Sequence, residues 1–172
     1  MDNIQLTQPD LKHLQPPLLM KNNRGTFSDV SDQAGAAFQK PLSARGVAVG
    51  DLNNDGFLDV AVNCNDQPAV IFQNTGGSNH WLLIELIGKS SNRDGMGAKI
   101  RLVSESGMEQ HGYVSTAGSY LSSNDKRVHF GLGTDSNLRL LEITWPSGAV
   151  QRVEGIATDQ ILTITEPEGK AP

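Results

Sequence analysis

Short segments in which apolar and polar residues alternate constrain the fold of this chain more than any other feature. Early ones contain Val47 with Val49, then 58–62, then Val70 with Phe72, and further ones follow at 81–88, 98–103, 110–115, 127–132, 138–145, 149–153 and 160–165. A period of two places successive side chains on opposite faces of a strand. The 18 glycines and 8 prolines favour turns, and no credible crossover helix separates the segments. The sequence therefore predicts an all-β fold.

The first forty residues predict less regular structure. Residues 1–17 show neither the helical nor the strand period and are expected to form an N-terminal arm. A short strand is predicted at Leu18–Met20, followed by a tight hairpin over Lys21–Asp29, where an Asn-rich, glycine-bearing tetrapeptide separates two apolar runs. Residues 31–40 are expected to form one turn of helix at most.

Composition argues against several classes of partner. The formal net charge is -5 and the cationic residues are scattered, which argues against nucleic acid. The longest apolar stretch, 81–87, contains Glu85 and is far shorter than the ~20 residues of a membrane span. Cys64 is the only cysteine, which excludes an internal disulfide. The first residues lack the cationic and apolar regions of a secretory signal.

The strongest chemical signal is the nonapeptide Asp-Leu-Asn-Asn-Asp-Gly-Phe-Leu-Asp at residues 51–59. Oxygen-bearing side chains occupy relative positions one, three, five and nine, and a glycine occupies position six. Alternate oxygens can converge on a hard cation when the chain wraps around it, and glycine permits the sharp bend. The sequence therefore predicts a Ca²⁺ site formed by Asp51, Asn53, Asp55, the Phe57 carbonyl and Asp59.

Two alternatives stay open for these residues. Asp and Asn side chains can instead bond to nearby backbone N–H groups and form a metal-free turn. Mg²⁺ could also occupy an oxygen site, whereas zinc would favour His or Cys. An EF-hand is excluded because position twelve is Val62 and both flanks have the pattern of strands. No acid or base accompanies the loop, so the expected role of the ion is structural.

Residues 47–62, Val-Ala-Val-Gly-Asp-Leu-Asn-Asn-Asp-Gly-Phe-Leu-Asp-Val-Ala-Val, resemble an FG-GAP or VCBS-like repeat of the integrin-type β-propeller. Residues 22–30 resemble the strand and turn that lead from one blade to the next. The resemblance implies that residues 18–78 form one blade with part of its neighbour. It also implies that calcium is held by the same loop residues, with Phe57 contributing its carbonyl.

Residues 79–166 resemble the ASPIC/UnbV domain that follows such repeats in cartilage acidic protein relatives and in secreted bacterial proteins. The matching sequences are Asn79-His-Trp-Leu, Ser91-Asn-Arg-Asp-Gly-Met-Gly-Ala, Gly118-Ser-Tyr-Leu-Ser, His129-Phe-Gly-Leu-Gly and Trp145-Pro-Ser-Gly. The two resemblances imply partial propeller blades followed by a small antiparallel β-sandwich or barrel-like domain, with a tail at 167–172. They also imply an extracellular or periplasmic location.

The single predicted blade departs from the propeller pattern, because such propellers usually have several blades. A lone blade leaves strand edges unpaired. We therefore expect either a C-terminal fragment of a longer protein or a chain that self-associates through its blade edges.

A second, weaker candidate ligand loop contains Asn92, Arg93 and Asp94. A hairpin loop stiffened by its Asn and Asp side chains, with Arg93 paired to a carboxylate, explains this sequence equally well. The hairpin is the preferred interpretation, and the ligand loop is kept as the alternative.

The preferred function is a non-catalytic calcium-binding module for protein–protein or adhesion-type interaction, with an unidentified protein or glycan as partner. The sequence lacks a Gly-x-Ser-x-Gly elbow, a phosphate loop and a dinucleotide fingerprint. One alternative is a carbohydrate-binding module using exposed aromatic residues, although isolated aromatic residues on strands are expected to be core. The aromatic candidates are Trp81, Tyr113, Tyr120 and Trp145. A hydrolase would need Asp94, His111 and His129 to meet in a cleft.

Overall fold

The computed structural model describes residues 6–10 and 12–169, and it is all-β as predicted. The predicted arm (1–17) and tail (167–172) lie partly outside these residues. Short 3-10 helices are present at Ser31–Gln33 and Ala36–Gln39. The strands are β1 Met20–Asn23, β2 Thr26–Asp29, β3 Ala44–Gly50, β4 Asp59–Cys64, β5 Val70–Phe72, β6 His80–Ile87, β7 Lys99–Ser104, β8 Glu109–Tyr113, β9 Val128–Gly133, β10 Leu138–Thr144, β11 Val150–Val153 and β12 Gln160–Thr165.

The chain divides into two compact units that interleave along the sequence. The first contains the residues up to Ala48 together with Val60–Gln73 and Gly118–Ser122. The second contains Val49–Asp59, Asn74–Ala117 and the residues from Ser123 onward. In the part of the chain that the structure describes, no helix is both long enough and apolar enough to span a bilayer.

The predicted hairpin in the first unit is confirmed. Strands β1 and β2 pair antiparallel, with Asn23 opposite Thr26. The two residues between them, Arg24 and Gly25, both have positive φ angles, 55° and 93°. This backbone is that of the type I′ turn, whose twist matches that of paired strands. The sequence predicts a strand at Leu18–Met20, but the first strand begins at Met20.

The first unit also carries most of a three-stranded sheet of order β3-β4-β5. Among the described residues of the first unit, the buried apolar side chains are Phe38, Leu42 and Val62. The Phe38 ring packs against Phe72 with centroids 5.0 Å apart. Several large apolar side chains of this unit are exposed, Phe27 and Ile71 among them.

The second unit contains a sandwich of two open sheets. One sheet has the order β11-β10-β7-β8 and the other β12-β6-β9. Alternate residues of both sheets point into one buried cluster, and its members are Leu82, Ile84, Leu86, Ala98, Ile100, Leu102, Val114, Phe130, Leu132, Leu141, Ile143, Trp145, Ala149 and Ile164. The alternation of apolar and polar residues predicts such an inward-facing set, and its burial is the main contribution to the stability of this sandwich.

One pair of strands differs from the antiparallel expectation. Strand β12 runs parallel to β6, with Ile164 beside Leu86. The central strand β6 carries the buried run Leu82, Leu83 and Ile84, which is the continuous apolar pattern of a strand covered on both faces. The alternation pattern identifies strands but contains no information about the direction of their neighbours.

A buried carboxylate joins the end of β12 to two turns. Glu166 is 1% exposed and accepts hydrogen bonds from the backbone N–H groups of Lys89 and Ser91, both at 2.7 Å. The hydroxyls of Ser91 and Ser147 donate to its other oxygen at 2.8 and 2.6 Å. Burial alone would raise the pKa of Glu166, but these four donors outweigh it and lower the pKa to about 2.

Glu166→Gln should therefore lower the free energy of unfolding at neutral pH by roughly 3 kcal/mol, the equivalent of moving a pKa from 4.5 to about 2. Between these two pKa values the unfolded chain binds more protons than the native protein. The contribution is therefore complete above pH 4.5 and is lost as the pH falls toward 2. Urea unfolding across this range measures both effects.

The matched control is Glu168→Gln. Glu168 is 84% exposed and pairs with the side chain of Lys89, so its loss should change stability by less than about 0.5 kcal/mol. Equal effects of the two substitutions would show that the buried hydrogen bonds of Glu166 do not stabilise the fold.

Candidate functional site

The loop between β3 and β4 wraps around the carboxylate of Asp51. One oxygen of Asp51 accepts the backbone N–H of Asp55 at 3.1 Å, and the other accepts that of Gly56 at 2.8 Å. Positive φ angles at Asn54, 61°, and Gly56, 88°, turn the chain back on itself. The sequence dictates this shape because Asn and Gly tolerate the left-handed region best.

The carboxylate of Asp59 closes the loop. One oxygen accepts the N–H of Leu52 at 3.0 Å, and the other accepts the N–H of Asn74 at 2.8 Å. Asp51 and Asp59 are 2% and 1% exposed. The first and ninth positions of the predicted site are therefore its buried anchors, and all four of their oxygens receive a backbone hydrogen bond.

The middle of the loop faces solvent. Asn53 donates its side-chain amide to Asp55 at 2.7 Å, and the other oxygen of Asp55 accepts the N–H of Phe57 at 2.9 Å. Both side chains are exposed. These bonds belong to an Asx-rich turn, which was one of the alternatives for this sequence.

Arg127, which directly precedes β9, holds the loop from outside. Its Nη1 donates to the side-chain oxygen of Asn54 and its Nη2 to the backbone carbonyl of Asp51, both at 2.7 Å. Its Nε donates to Asp125 at 2.7 Å, and this bond raises the pKa of the guanidinium. The fixed positive charge beside Asp51 partly offsets the negative charge of the loop.

The glycine of the loop packs against an aromatic ring of β6. A Cβ added to Gly56 would lie 1.8 Å from Trp81 Cε2, so no other residue fits there without displacing the indole. The His129 ring stacks on Trp81 with centroids 6.4 Å apart, and its Nε2 donates to the Gly56 carbonyl at 2.8 Å. A pocket of about 270 Å³ opens beside these rings and the ring of Phe57.

The donor set of the loop fits a hard cation in its chemistry. It contains three carboxylates, one amide and one backbone carbonyl, which are oxygen ligands of the kind that Ca²⁺ takes. Among residues 6–10 and 12–169, no group of three or more His, Cys, Asp or Glu side chains is already gathered in a metal-binding arrangement. A cation would therefore require the exposed side chains Asn53 and Asp55 to turn inward.

The second candidate loop has the hydrogen bonds of a stiffened hairpin. Asn92 accepts the N–H of Met96 and donates to its carbonyl, both at 2.8 Å. Asp94 pairs with Lys126 at 2.6 Å, and this hydrogen bond lowers the pKa of Asp94. Lys126 is the direct ion-pair partner of Asp94, and the nearby charge of Arg93 lowers the pKa of Asp94 further. Ligand binding here stays a prediction.

The residues of the hydrolase alternative have separate partners. Asp94 pairs with Lys126, His111 with Glu109 at 3.0 Å, and His129 with the Gly56 carbonyl. In the described part of the chain, no hydrogen bond or ion pair joins any two of the three. The structure therefore does not assemble the acid–base cluster that this alternative requires.

The aromatic residues follow the core expectation only in part. Trp145 is buried and donates its indole N–H to Gln151 at 2.9 Å, and Trp81 is half-buried against His129. Tyr113 and Tyr120 are 58% and 71% exposed, so the expectation of core positions is wrong for both. Tyr113 lies on the outer face of β8, where the alternation of the strand points it away from the core, and Tyr120 lies in a turn.

Sequence reasoning missed Arg127 and the role of His129. Both contact the loop from more than 70 residues away, at 73 and 76 positions along the chain. Arg127 lies in the bend before β9 and His129 lies on β9, so both come from the same short stretch of sequence. Pairing that segment with residues 51–56 needs the tertiary fold.

Two family models match this chain, one in its N-terminal half and one in its C-terminal half. A model described as an FG-GAP-like repeat matches residues 15–62, and a model described as ASPIC and UnbV matches residues 88–171. The chain carries an FG-GAP-like repeat followed by an ASPIC/UnbV domain. The resemblance seen in the sequence is thereby confirmed.

This chain is also similar to Cartilage acidic protein 1 from three vertebrates. Identity is 28% over 139 residues with the Mus musculus protein, 30% over 120 residues with that of Xenopus tropicalis, and 29% over 139 residues with that of Homo sapiens. The alignments cover 77%, 67% and 77% of this chain but 21%, 18% and 20% of those proteins. The chain thus spans about a fifth of the length of these relatives.

Removing the guanidinium of Arg127 should make the 51–59 loop less rigid. Arg127→Ala should cost roughly 2 kcal/mol of unfolding free energy, because it leaves loop acceptors and a half-buried Asp125 without their donor. The amides of Asp55 and Gly56 should exchange with solvent faster. Hydrogen exchange followed by NMR measures this directly.

The control is Arg139→Ala, which removes an exposed arginine of β10 and should leave the same amides unchanged. Arg127→Lys keeps the charge but cannot reach both acceptors, so its effect should be intermediate. Unaltered exchange at Asp55 and Gly56 in Arg127→Ala would contradict the role given to Arg127.

Proposed function

We propose that this chain is a non-catalytic, calcium-binding β module for protein–protein or adhesion-type interaction. The ion would be held by Asp51, Asn53, Asp55, Asp59 and the Phe57 carbonyl. Calcium supplies positive charge that neutralises three nearby carboxylates and fixes the turn between β3 and β4. The proposal assigns it a structural role.

The closure of the loop is the observation that carries this proposal. The hydrogen bond from the Leu52 N–H to Asp59, at 3.0 Å, brings the ninth position back beside the first. Each oxygen of Asp51 and Asp59 that accepts one N–H has a second lone pair, so these bonds do not compete with a cation. The anchors are already in place, and only the solvent-facing ligands need to move.

The movement that binding requires is small. Asp55 and Asn53 are exposed, so a change of rotamer disrupts no packing. The bonds that they would lose, from the Asn53 amide and the Phe57 N–H to Asp55 and from the Asp55 N–H to Asn53, are local and face water. The energetic cost of releasing such bonds is modest, since water replaces the lost partners.

An interaction role is favoured by exposed apolar side chains in the first unit. Leu18, Phe27 and Ile71 are 67%, 59% and 63% exposed, and the latter two lie on strands β2 and β5. Large apolar side chains on a surface often mark contacts with other proteins. We propose a protein partner for this region, a second copy of the chain included.

The family supports a location outside the cell. The relatives are named after cartilage, a tissue composed largely of extracellular matrix. A non-enzymatic role is supported by the separate partners of Asp94, His111 and His129. Calcium at extracellular concentration would suit a loop of modest affinity.

Calcium should raise the melting temperature of protein first stripped with EDTA. A ligand present at 100 times its Kd stabilises the native state by about 2.7 kcal/mol, which shifts the melting temperature of a domain this size by several degrees. Asp55→Asn preserves the shape of the side chain but removes one ligand charge and should lose most of this rise. Differential scanning calorimetry measures both proteins.

Asp32→Asn serves as the control, because Asp32 is an exposed acid in a 3-10 helix away from the loop in sequence, and its rise should match wild type. Magnesium should give a smaller rise, since it demands a more rigid octahedral site. If wild type and Asp55→Asn respond identically to calcium, the loop is a metal-free turn.

A further inference from the structure

The outer face of the four-stranded sheet carries a second pocket, distinct from the calcium loop. Strand register places two rows of side chains across this face. One row contains Val150, Thr144, Lys99 and Tyr113, and the next contains Arg152, Glu142, Arg101 and His111. A shallow pocket of about 450 Å³ lies over them, within the size range of ligand sites.

The face is cationic although the chain as a whole is acidic. Lys99, Arg101 and Arg152 face two carboxylates, Glu109 and Glu142, on a chain of net charge -5. His111 adds a further positive charge when it is protonated. The local surplus of positive charge is therefore the reverse of the overall balance and would attract an anion.

Lys99 and Arg101 have N–H donors that can bind a ligand. Arg101 binds Glu109 through Nε at 2.8 Å and Nη2 at 3.0 Å, which leaves the Nη1 hydrogens without a partner among the described residues. Lys99 takes part in no ion pair within the same residues. Lys99 and Arg101 are two positions apart on one strand, so both side chains project from the same face.

An aromatic ring borders these donors. Tyr113 lies directly opposite Lys99 in the register and is 58% exposed. An exposed tyrosine offers an apolar ring face together with a hydroxyl. A pyranose ring has the complementary surface, with C–H groups on its face and hydroxyls at its edge. Neither a bare inorganic anion nor an extended acidic peptide needs that ring face.

We propose that this face binds an anionic saccharide, a sugar chain bearing carboxylate or sulfate groups. The sugar ring packs on Tyr113, and its acidic group accepts charge-assisted hydrogen bonds from Lys99 and the Nη1 group of Arg101. Glu142 and Thr144 border the opposite side of the pocket and accept or donate hydrogen bonds to sugar hydroxyls. None of these residues belongs to the Asp51–Asp59 loop.

Isothermal titration with matched polymers tests the proposal. Dextran sulfate carries sulfates, polygalacturonate carries carboxylates, and dextran of equal length is neutral. Wild-type protein should bind at least one of the two acidic polysaccharides, with affinity that falls as salt is raised, and should not bind dextran. The titrations are run with and without EDTA, and binding should be the same, which separates this site from the calcium proposal.

Variants on the face should locate the binding site. Lys99→Gln and Tyr113→Ala should each weaken binding about tenfold, the effect of losing one strong contact. Tyr113→Phe keeps the ring and should retain most of the affinity. The controls Lys40→Gln and Tyr120→Ala remove an exposed lysine and an exposed tyrosine elsewhere and should bind as wild type does. Melting temperatures confirm that each variant folds.

Three results would overturn the proposal. Equal binding of dextran and dextran sulfate would remove the role of charge. Equal binding of polyglutamate would show a general cationic surface that takes acidic peptides and has no saccharide site. Wild-type affinity in both Lys99→Gln and Tyr113→Ala would place any saccharide binding elsewhere on the molecule.

Discussion

The hydrogen bonds made by two buried carboxylates hold the candidate site together. Asp51 accepts hydrogen bonds from the N–H groups of Asp55 and Gly56, and Asp59 accepts one from the N–H of Leu52. A buried carboxylate is costly without donors, so these bonds leave the loop little conformational choice. The same geometry places the carbonyl of Asp51 within reach of Arg127, which ties the turn to the segment before β9.

Buried carboxylates that bind backbone amides occur elsewhere in the second unit as well. Glu166 accepts hydrogen bonds from the N–H groups of Lys89 and Ser91 and from the Ser147 hydroxyl, as Asp51 accepts them from the N–H groups of its loop. Only 5% of the residues are aromatic, and the larger buried apolar cluster among the described residues belongs to the two small sheets of the second unit. Outside that core, irregular segments depend on satisfied polar centres, and such centres are sensitive to charge, acid and cations in a way that apolar packing is not.

Much of the fold follows from local sequence, and the interactions that complete the site do not. Period-two alternation and turn residues predict the strands, the Lys21–Asp29 hairpin and the shape of the 51–59 loop, because each depends on neighbours in the chain. Other features depend on residues distant in sequence. They are the parallel pairing of β6 with β12, the hydrogen bonds from Arg127 to the loop and the exposure of Tyr113. No pattern within one segment encodes them.

The proposed calcium site in the Asp51–Asp59 loop can be tested directly, because Trp81 packs against Gly56 of that loop. Terbium occupies calcium sites and emits when a nearby indole is excited. The account predicts saturable terbium emission that calcium displaces, that Trp81→Phe abolishes and that Trp145→Phe, in the sandwich core, retains. Emission that is absent, or that is unchanged in Asp55→Asn, would contradict it.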